Sequence, residues 1–260
     1  MTGSARIKRI LVLGGTAEAR QLTERLAGRE RLAVTLSLAG RTAQPLPQAV
    51  PVRIGGFGGS EGLARYLRDE RIDALIDATH PYAAAISANA ASAAEIARVP
   101  LLALRRPPWT REHGDIWIEA ATVADAVEAL GKAPRRVFLA LGRKEIEPFA
   151  AAPQHVYLVR SVDPVDPPLA VPHAIYVTAR GPFTEKEDHA LLERHRIETI
   201  VAKNSGGDAT YGKLRAARAL RLPVIVLKRP ALPEVPSVAT VEEVLAWLDH
   251  AIAPSTARGV

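Results

Sequence analysis

The feature that most restricts how this chain of 260 residues can fold is an internal repeat. Lys8-Arg9-Ile10-Leu11-Val12-Leu13-Gly14-Gly15-Thr16 returns as Arg135-Arg136-Val137-Phe138-Leu139-Ala140-Leu141-Gly142-Arg143-Lys144. Arg71-Ile72-Asp73-Ala74-Leu75-Ile76-Asp77-Ala78-Thr79 returns as Arg196-Ile197-Glu198-Thr199-Ile200-Val201-Ala202-Lys203-Asn204. Arg9 and Arg71 stand 62 positions apart, Arg136 and Arg196 60. Pro100-Leu101-Leu102-Ala103-Leu104-Arg105-Arg106-Pro107 then pairs with Pro223-Val224-Ile225-Val226-Leu227-Lys228-Arg229-Pro230, and Ala121-Thr122-Val123 with Ala239-Thr240-Val241. Four blocks in one order describe a duplicated domain, not a short solenoid unit. The join falls in Gly131-Lys132-Ala133-Pro134, so the expected domains are residues 1–131 and 132–260, both of ordinary domain size.

Each copy alternates short apolar runs with amphipathic stretches. Strands are expected over 9–13, 33–38, 50–54, 74–77, 101–104 and 116–119, then 137–141, 156–159, 175–178, 199–202, 224–227 and 235–238. Helices are expected over 17–27, 61–70, 82–98 and 123–130, then 144–151, 185–195, 209–220 and 241–251. Hydrophobic residues make up 48% of the chain and aromatics only 5%, the palette of parallel sheets covered on both faces. The fold class is therefore α/β, with two Rossmann-like, doubly wound parallel-sheet domains related by internal duplication. Each copy ends in a strand and helix after an Arg-Pro step, Arg106-Pro107 or Arg229-Pro230. Those last strands suit either their own sheet or the other copy's.

Composition removes several classes of function. The absence of cysteine excludes disulfides, thiolate metal sites and a cysteine nucleophile, and fits a reducing cytoplasm. The first apolar run, 10–13, is too short for a signal peptide. The Ala-rich stretch 83–104 is broken by Asn89, Glu95 and Arg98, so no membrane span is expected. A net charge of +6 suits an acidic partner as well as an ordinary solvated surface. Its cations are dispersed and not interleaved with aromatics, which disfavours nucleic acid.

The chemistry is expected at the carboxyl ends of the strands, where open α/β sheets bind ligands. Gly14-Gly15-Thr16-Ala17-Glu18 follows the first strand and opens a helix. Glycines let backbone N–H groups approach a phosphate, and a helix start favours negative charge. Thr16 can cap the helix and offer its hydroxyl to a phosphate oxygen. A tight turn with a capped helix would look the same, since the full Gly-x-Gly-x-x-Gly pattern is missing. After the second strand, where an NAD site carries an acid, stands Arg41, with Ser37 and Thr42 nearby. Arginine there suits the 2′-phosphate of NADP, though a surface arginine is the plain alternative. Thr79-His80-Pro81-Tyr82 follows the fourth strand. Thr79 and His80 would border a nicotinamide, and Tyr82 or His80 would relay a proton. Helix capping accounts for the same residues equally well.

The second copy differs at these places. Gly142-Arg143-Lys144 replaces the glycine turn, and its side chains would crowd a pyrophosphate. Arg160, Arg180 and Lys203 join Arg143 and Lys144 at strand carboxyl ends, with Asn204, Ser205 and Gly206 completing the last loop. Five cations on one edge point to a polyanionic substrate.

Taken together, these residues resemble the precorrin-6A reductases of cobalamin biosynthesis. The resemblance runs from Gly14-Gly15-Thr16 through Asp77-Ala78-Thr79-His80-Pro81-Tyr82-Ala83, Gly142-Arg143 and Arg180-Gly181-Pro182-Phe183 to Lys203-Asn204-Ser205-Gly206-Gly207. It implies NADPH-dependent reduction of a macrocyclic double bond in precorrin-6A, giving precorrin-6B, with the substrate between two Rossmann-like domains. It implies direct hydride transfer without flavin or metal, and a substrate rich in acetate and propionate carboxylates. Cofactor residues would be Gly14, Gly15, Thr16, Ala17, Glu18, Ser37, Arg41, Thr79 and His80; Arg143, Lys144, Arg160, Arg180, Lys203, Asn204, Ser205 and Gly206 would meet the tetrapyrrole. No other partner is implied beyond passing contact with neighbouring enzymes of the pathway, and the state expected is a monomer or homodimer.

Three other readings compete. A short-chain dehydrogenase needs Tyr-x-x-x-Lys, but Tyr82 is followed by Ile86 and Tyr211 by Arg215. A non-catalytic NADP-sensing module would not need the cationic edge. A nucleic-acid binder would show affinity falling steeply with salt.

Overall fold

A computed structural model describes residues 6–40 and 45–251, except the side chain of Lys144. The first half comprises β1 (Lys8–Leu13), α1 (Ala17–Leu26), β2 (Leu32–Leu38), β3 (Val52–Ile54), α2 (Gly59–Asp69), β4 (Ala74–Asp77), α3 (Ala84–Ala97), β5 (Leu101–Leu104), β6 (Ile116–Ala120) and α4 (Val123–Ala129). The second comprises β7 (Arg136–Ala140), α5 (Arg143–Ile146), a 3-10 turn (Glu147–Ala151), β8 (Val156–Ser161), β9 (Ala174–Thr178), α6 (Glu185–Arg194), β10 (Thr199–Lys203), α7 (Gly212–Ala219), β11 (Pro223–Leu227), β12 (Ser237–Val238) and α8 (Val241–Ala251).

Two six-stranded sheets result, ordered β12-β5-β4-β1-β2-β3 and β6-β11-β10-β7-β8-β9. Every pairing is parallel. Five strands of one sheet correspond to five of the other, as duplication requires. The sixth is exchanged in both directions: β6 pairs with β11, Ile116 opposite Pro223, and β12 pairs with β5, Ser237 opposite Ala103. That resolves the choice left open for the terminal strands.

The exchange also corrects the expected boundary. The compact units are Met1–Arg106 with Pro230–Val260, and Pro107–Arg229. The division at 131 therefore does not hold for the folded chain, because β6 and α4 belong to the second unit. The repeat marks where the duplication was joined; the backbone changes cores at the two Arg-Pro steps. The segment beyond Pro107 is fastened to the second unit by polar contacts. Asn204 accepts the Trp109 N–H at 2.7 Å and donates to the Trp109 carbonyl at 2.9 Å. Trp109 donates its indole N–H to Gly207 at 2.8 Å, and Asp115 pairs with Arg218 at 2.8 Å.

Strand alternation builds the cores. In unit one, Ile10 and Val12 point to α1 and α8, packing with Leu22, Leu26, Val244 and Leu248. Leu11 and Leu13 point the other way, onto Leu63 and Leu67 of α2 and Ala90 and Ala94 of α3. In unit two, Phe138, Ile200, Val224 and Val226 pack with Leu192 of α6 and Leu214 of α7. The helix ends repeat as well. Among the described residues, those other than glycine with positive φ are Arg71, Arg98, Arg196 and Arg221, at 48°, 56°, 48° and 54°. Arg71 and Arg196 are repeat partners, and all four stop a helix in the left-handed turn that glycine usually supplies.

Three expected elements change. The helix over 144–151 is a four-residue α5 followed by the 3-10 turn that contains Pro148, which has no N–H to continue an α-helical ladder. The helix expected from 82 starts at Ala84, because residues 80–83 form a turn in which Ala83 N–H reaches the His80 carbonyl at 2.7 Å. The last strand shortens to Ser237–Val238. No described helix is long and apolar enough to cross a membrane.

Candidate active site

Unit one has the strand order in which a crevice opens between β1 and β4, where successive connections diverge. Thr16 ties the two sides of this switch point together. Its Oγ1 accepts the Ala19 N–H at 3.1 Å, capping α1, and donates to the Ala78 carbonyl at 2.9 Å. The Thr16 hydroxyl thus both caps α1 and fixes the turn to the end of β4. A Cβ on Gly14 would stand 2.5 Å from Leu36 Cδ1, so β2 packs directly on that backbone. Gly15, at φ 117°, has no atom within 4 Å of where a Cβ would point. An open glycine at a helix start is what the pyrophosphate of a dinucleotide requires. Ser37 is buried, and its carbonyl accepts the Gly14 N–H at 3.0 Å. Arg41 and Thr42 lie outside the described residues.

At the other side of the crevice, buried Asp77 ends β4. Its Oδ1 accepts the Thr79 N–H at 3.2 Å and the Thr79 hydroxyl at 2.7 Å. Thr79 is therefore no helix cap. His80 and Tyr82 are half-buried neighbours with ring centroids 5.6 Å apart. The His80 Nδ1 accepts the Tyr82 N–H at 3.3 Å, so any proton leaving His80 leaves from Nε2.

A further loop at this edge escaped the sequence reading. Gly55-Gly56-Phe57-Gly58-Gly59 joins β3 to α2, with Gly55, Gly58 and Gly59 at positive φ. The Arg53 guanidinium donates to the Gly55 and Gly56 carbonyls at 2.6 and 2.8 Å and lies 3.8 Å above the Phe57 ring. Tyr66 packs edge-on against Phe57. A side chain at Gly62 would collide with the Phe57 carbonyl. Four glycines in five residues after a strand were the available signal. Nearby, Glu18 meets Arg106 at 2.6 Å. Burial would raise the Glu18 carboxyl, but the Arg106 guanidinium, together with hydrogen bonds from its own backbone N–H and from Thr16, holds the group below its usual range.

The carboxyl edge of unit two is filled from within. The Glu145 carboxylate folds over Gly142, where a Cβ would have to displace it, and pairs with Lys203 at 2.6 Å. Arg160 is only 8% exposed; it pairs with fully buried Asp188, and its guanidinium lies 3.7 Å from the centre of the Phe183 ring. The expectation of Arg160 as a rim cation is corrected: a buried guanidinium needs a buried partner, and Asp188 is it. Asn204 is engaged at both ends of its amide by Trp109, and Gly206 is wedged where a Cβ would strike the Pro107 carbonyl. Ser205 gives its carbonyl to Arg229 at 2.9 Å. Arg143 and Arg180 are exposed. Arg143 reaches the Pro164 carbonyl at 3.5 Å.

A family model described as precorrin-6x reductase CbiJ/CobK matches residues 9–249. The chain belongs to this family. A precorrin-6A reductase from a Sinorhizobium species is 53% identical over 247 residues, covering 95% of each chain. One from Rhodobacter capsulatus is 51% identical over 253 residues, covering 97% of this chain and 99% of its own. The solved structure of CobK precorrin-6A reductase superposes with a TM-score of 0.91 at 50% identity, covering 97% of this chain and 100% of that one.

As a member of the precorrin-6x reductases, the chain is an oxidoreductase of cobalamin biosynthesis, and its sheets suit a nicotinamide cofactor. Around the switch point the fold gathers Gly14, Gly15, Thr16, Ala17, Glu18, Ser37, Thr79, His80 and Tyr82 at the ends of β1, β2 and β4. In unit two it leaves Arg143 and Arg180 outward, and turns Arg160, Lys203, Asn204 and Gly206 to internal tasks.

Proposed function

We propose that this protein reduces a double bond of precorrin-6A with NADPH, giving precorrin-6B. Unit one holds the cofactor and unit two the carboxylates of the macrocycle. The observation carrying this reading is the Thr16–Ala78 tie across the switch point, which keeps the open Gly15 turn and the His80 loop at one place. The relatives named above carry the metal-free substrate name, and that form is the one proposed.

When bound, NADPH supplies a hydride to an electrophilic ring carbon. The chain's task is to place and orient. Gly14, Gly15 and the first N–H groups of α1, at Ala17 and Glu18, cradle the pyrophosphate. Arg41, with Ser37, is assigned to the 2′-phosphate on its place after β2. Thr79, fixed by Asp77, borders the nicotinamide end. His80, through Nε2, or Tyr82 delivers a proton if the ring nitrogen system requires one. Arg143 and Arg180 bind carboxylates, Arg being suited to do so bidentately. Orientation supplies most of the rate, as it does for well-placed reactants in general.

The test is an anaerobic assay with precorrin-6A and cobalt-precorrin-6A, each with NADPH and NADH. Consumption of NADPH with a product heavier by two hydrogens is expected for precorrin-6A. No oxidation of either nicotinamide would overturn the reading. Equal rates with NADH would remove the 2′-phosphate role of Arg41.

A further inference from the structure

We infer that Asp77 meets the ligand directly, its Oδ2 oxygen accepting a hydrogen bond from the nicotinamide half of the cofactor. This rests on the NADPH reading above. Among the described residues three carboxylates are buried, those of Asp77, Asp115 and Asp188. A carboxylate taken out of water is costly unless a cation or several donors meet it. Asp115 has Arg218, and Asp188 has Arg160. Asp77, only 5% exposed, pairs with no described lysine, arginine or histidine. Its Oδ1 takes both Thr79 donors, and the Ser87 hydroxyl of α3 stands 3.4 Å from the Thr79 hydroxyl. The Thr79 proton already goes to Asp77, so Ser87 donates, and the chain of groups holds the carboxylate in one orientation. Oδ2 receives no donor from the described residues. The unpartnered side-chain atoms sealed from water among those residues are Gln48 Oε1, Arg105 Nε and Asp188 Oδ2. Asp77 Oδ2 is not one of them, so the little exposure that Asp77 has reaches this oxygen.

The place of this oxygen narrows what it can meet. Asp77 ends β4 opposite Leu13 of β1, the residue before the Gly14-Gly15 turn, and opposite Ala103 of β5. Neither apolar side chain can donate. The open oxygen thus stands at the switch point, where such a sheet takes its ligand. Unit two shows that the architecture holds together without the acid. The repeat partner of Asp77 is Ala202, buried at the corresponding place in β10. The unpaired carboxylate is therefore confined to the copy with the open Gly15 turn. A carboxylate repels phosphate, so Oδ2 suits the part of the cofactor that carries uncharged donors and lies away from the 2′-phosphate. Those donors are the carboxamide N–H of the nicotinamide and the hydroxyls of its ribose. A hydrogen bond to an ionised acceptor is among the stronger ones.

The test is calorimetric titration of the whole protein with NADP+ and with adenosine 2′,5′-bisphosphate, which lacks the nicotinamide and its ribose. Asp77→Asn keeps an oxygen for the two Thr79 donors and sets an NH2 group where Oδ2 stood, donor against donor. It should weaken NADP+ binding about tenfold and leave the bisphosphate within about twofold of the parent. Equal losses for both probes overturn the inference, because Asp77 then shapes the whole site. Unaltered NADP+ affinity overturns it as well. The acetylpyridine analogue of NADP+, which has no amide N–H, separates the two donors. If the carboxamide donates, the parent binds this analogue about tenfold more weakly than NADP+, and Asp77→Asn adds no further loss. If a ribose hydroxyl donates, the parent holds the two alike and Asp77→Asn weakens both. Should Asp77→Asn not fold, Asp77→Ala, which brings in the residue that unit two carries at this place, makes the same comparison. If the parent binds neither NADP+ nor the bisphosphate, the cofactor reading falls, and this inference with it; if it binds both and only the contrast between them fails, the cofactor reading stands.

Discussion

At the end of β1 the turn is bare, while at the end of β7 the matching turn carries its own anion. Gly15 faces open space; Gly142 faces the Glu145 carboxylate, which Lys203 balances. The same strand order and the same helix start therefore have two different occupants. One copy keeps its anion place for a ligand from outside, and the other has filled it with a side chain. Duplicated folds can part ways with few substitutions at one turn. Cations counted at strand ends also prove unequal: Arg160 and Lys203 serve carboxylates of the protein, whereas Arg143 and Arg180 face outward.

The largest effect should come from Asp188→Ala, which strands the Arg160 guanidinium without its carboxylate. A loss of about 3–5 kcal/mol in urea unfolding is expected for breaking a buried pair. A loss below about 1 kcal/mol would return Arg160 to the rim and weaken the contrast between the two edges. Next come the matching glycines. Gly15→Ala, at φ 117°, should cost about 1–3 kcal/mol and reduce NADP+ binding; Gly142→Ala, at φ −76°, should only displace Glu145 and leave NADP+ binding intact. Similar titrations for both would break the comparison. Arg143→Ala or Arg180→Ala should each weaken precorrin-6A binding about tenfold with NADP+ affinity unchanged. Equal losses for both ligands would mean that the edges do not divide the labour. The smallest effect concerns pH. Burial, partly offset by a hydrogen bond to Gly131, lowers His155 from its usual 6.5. The unfolded chain then binds a proton that the folded unit resists, so stability present above pH 6.5 falls as the pH drops below it. Urea midpoints at pH 7.5 and 5.5 should differ less in His155→Gln than in the parent.

Much of this was legible in the sequence, because a strand buried on both faces is an unbroken apolar run and a helix start follows a glycine turn. The runs at Ile10–Leu13 and Val137–Leu139 needed no tertiary information. The exchange of β6 and β12 was not legible, since the two copies offer similar edges and similar strands, and only assembly selects the pairing. Nor was the inward turn of Arg160, whose partner Asp188 lies 28 residues on and whose strand position alone leaves either direction open. The donation from Thr16 to Ala78 spans 62 residues and depends on β1 lying beside β4. The glycine run Gly55–Gly59 was readable and went unread, because it lacks the spacing of a dinucleotide fingerprint.

The exchanged strands also set an order of events during synthesis. Unit two is one continuous stretch, Pro107–Arg229, and has all of its parts once that stretch has left the ribosome. Unit one, begun first, still lacks β12 and the α8 residues Val241, Val244 and Leu248 that cover Ile10 and Val12. Domains generally fold as units as they emerge, so here the later segment closes first. The strand that begins unit one is thus the last to be covered, and a product cut short before β12 leaves Ile10 and Val12 without α8.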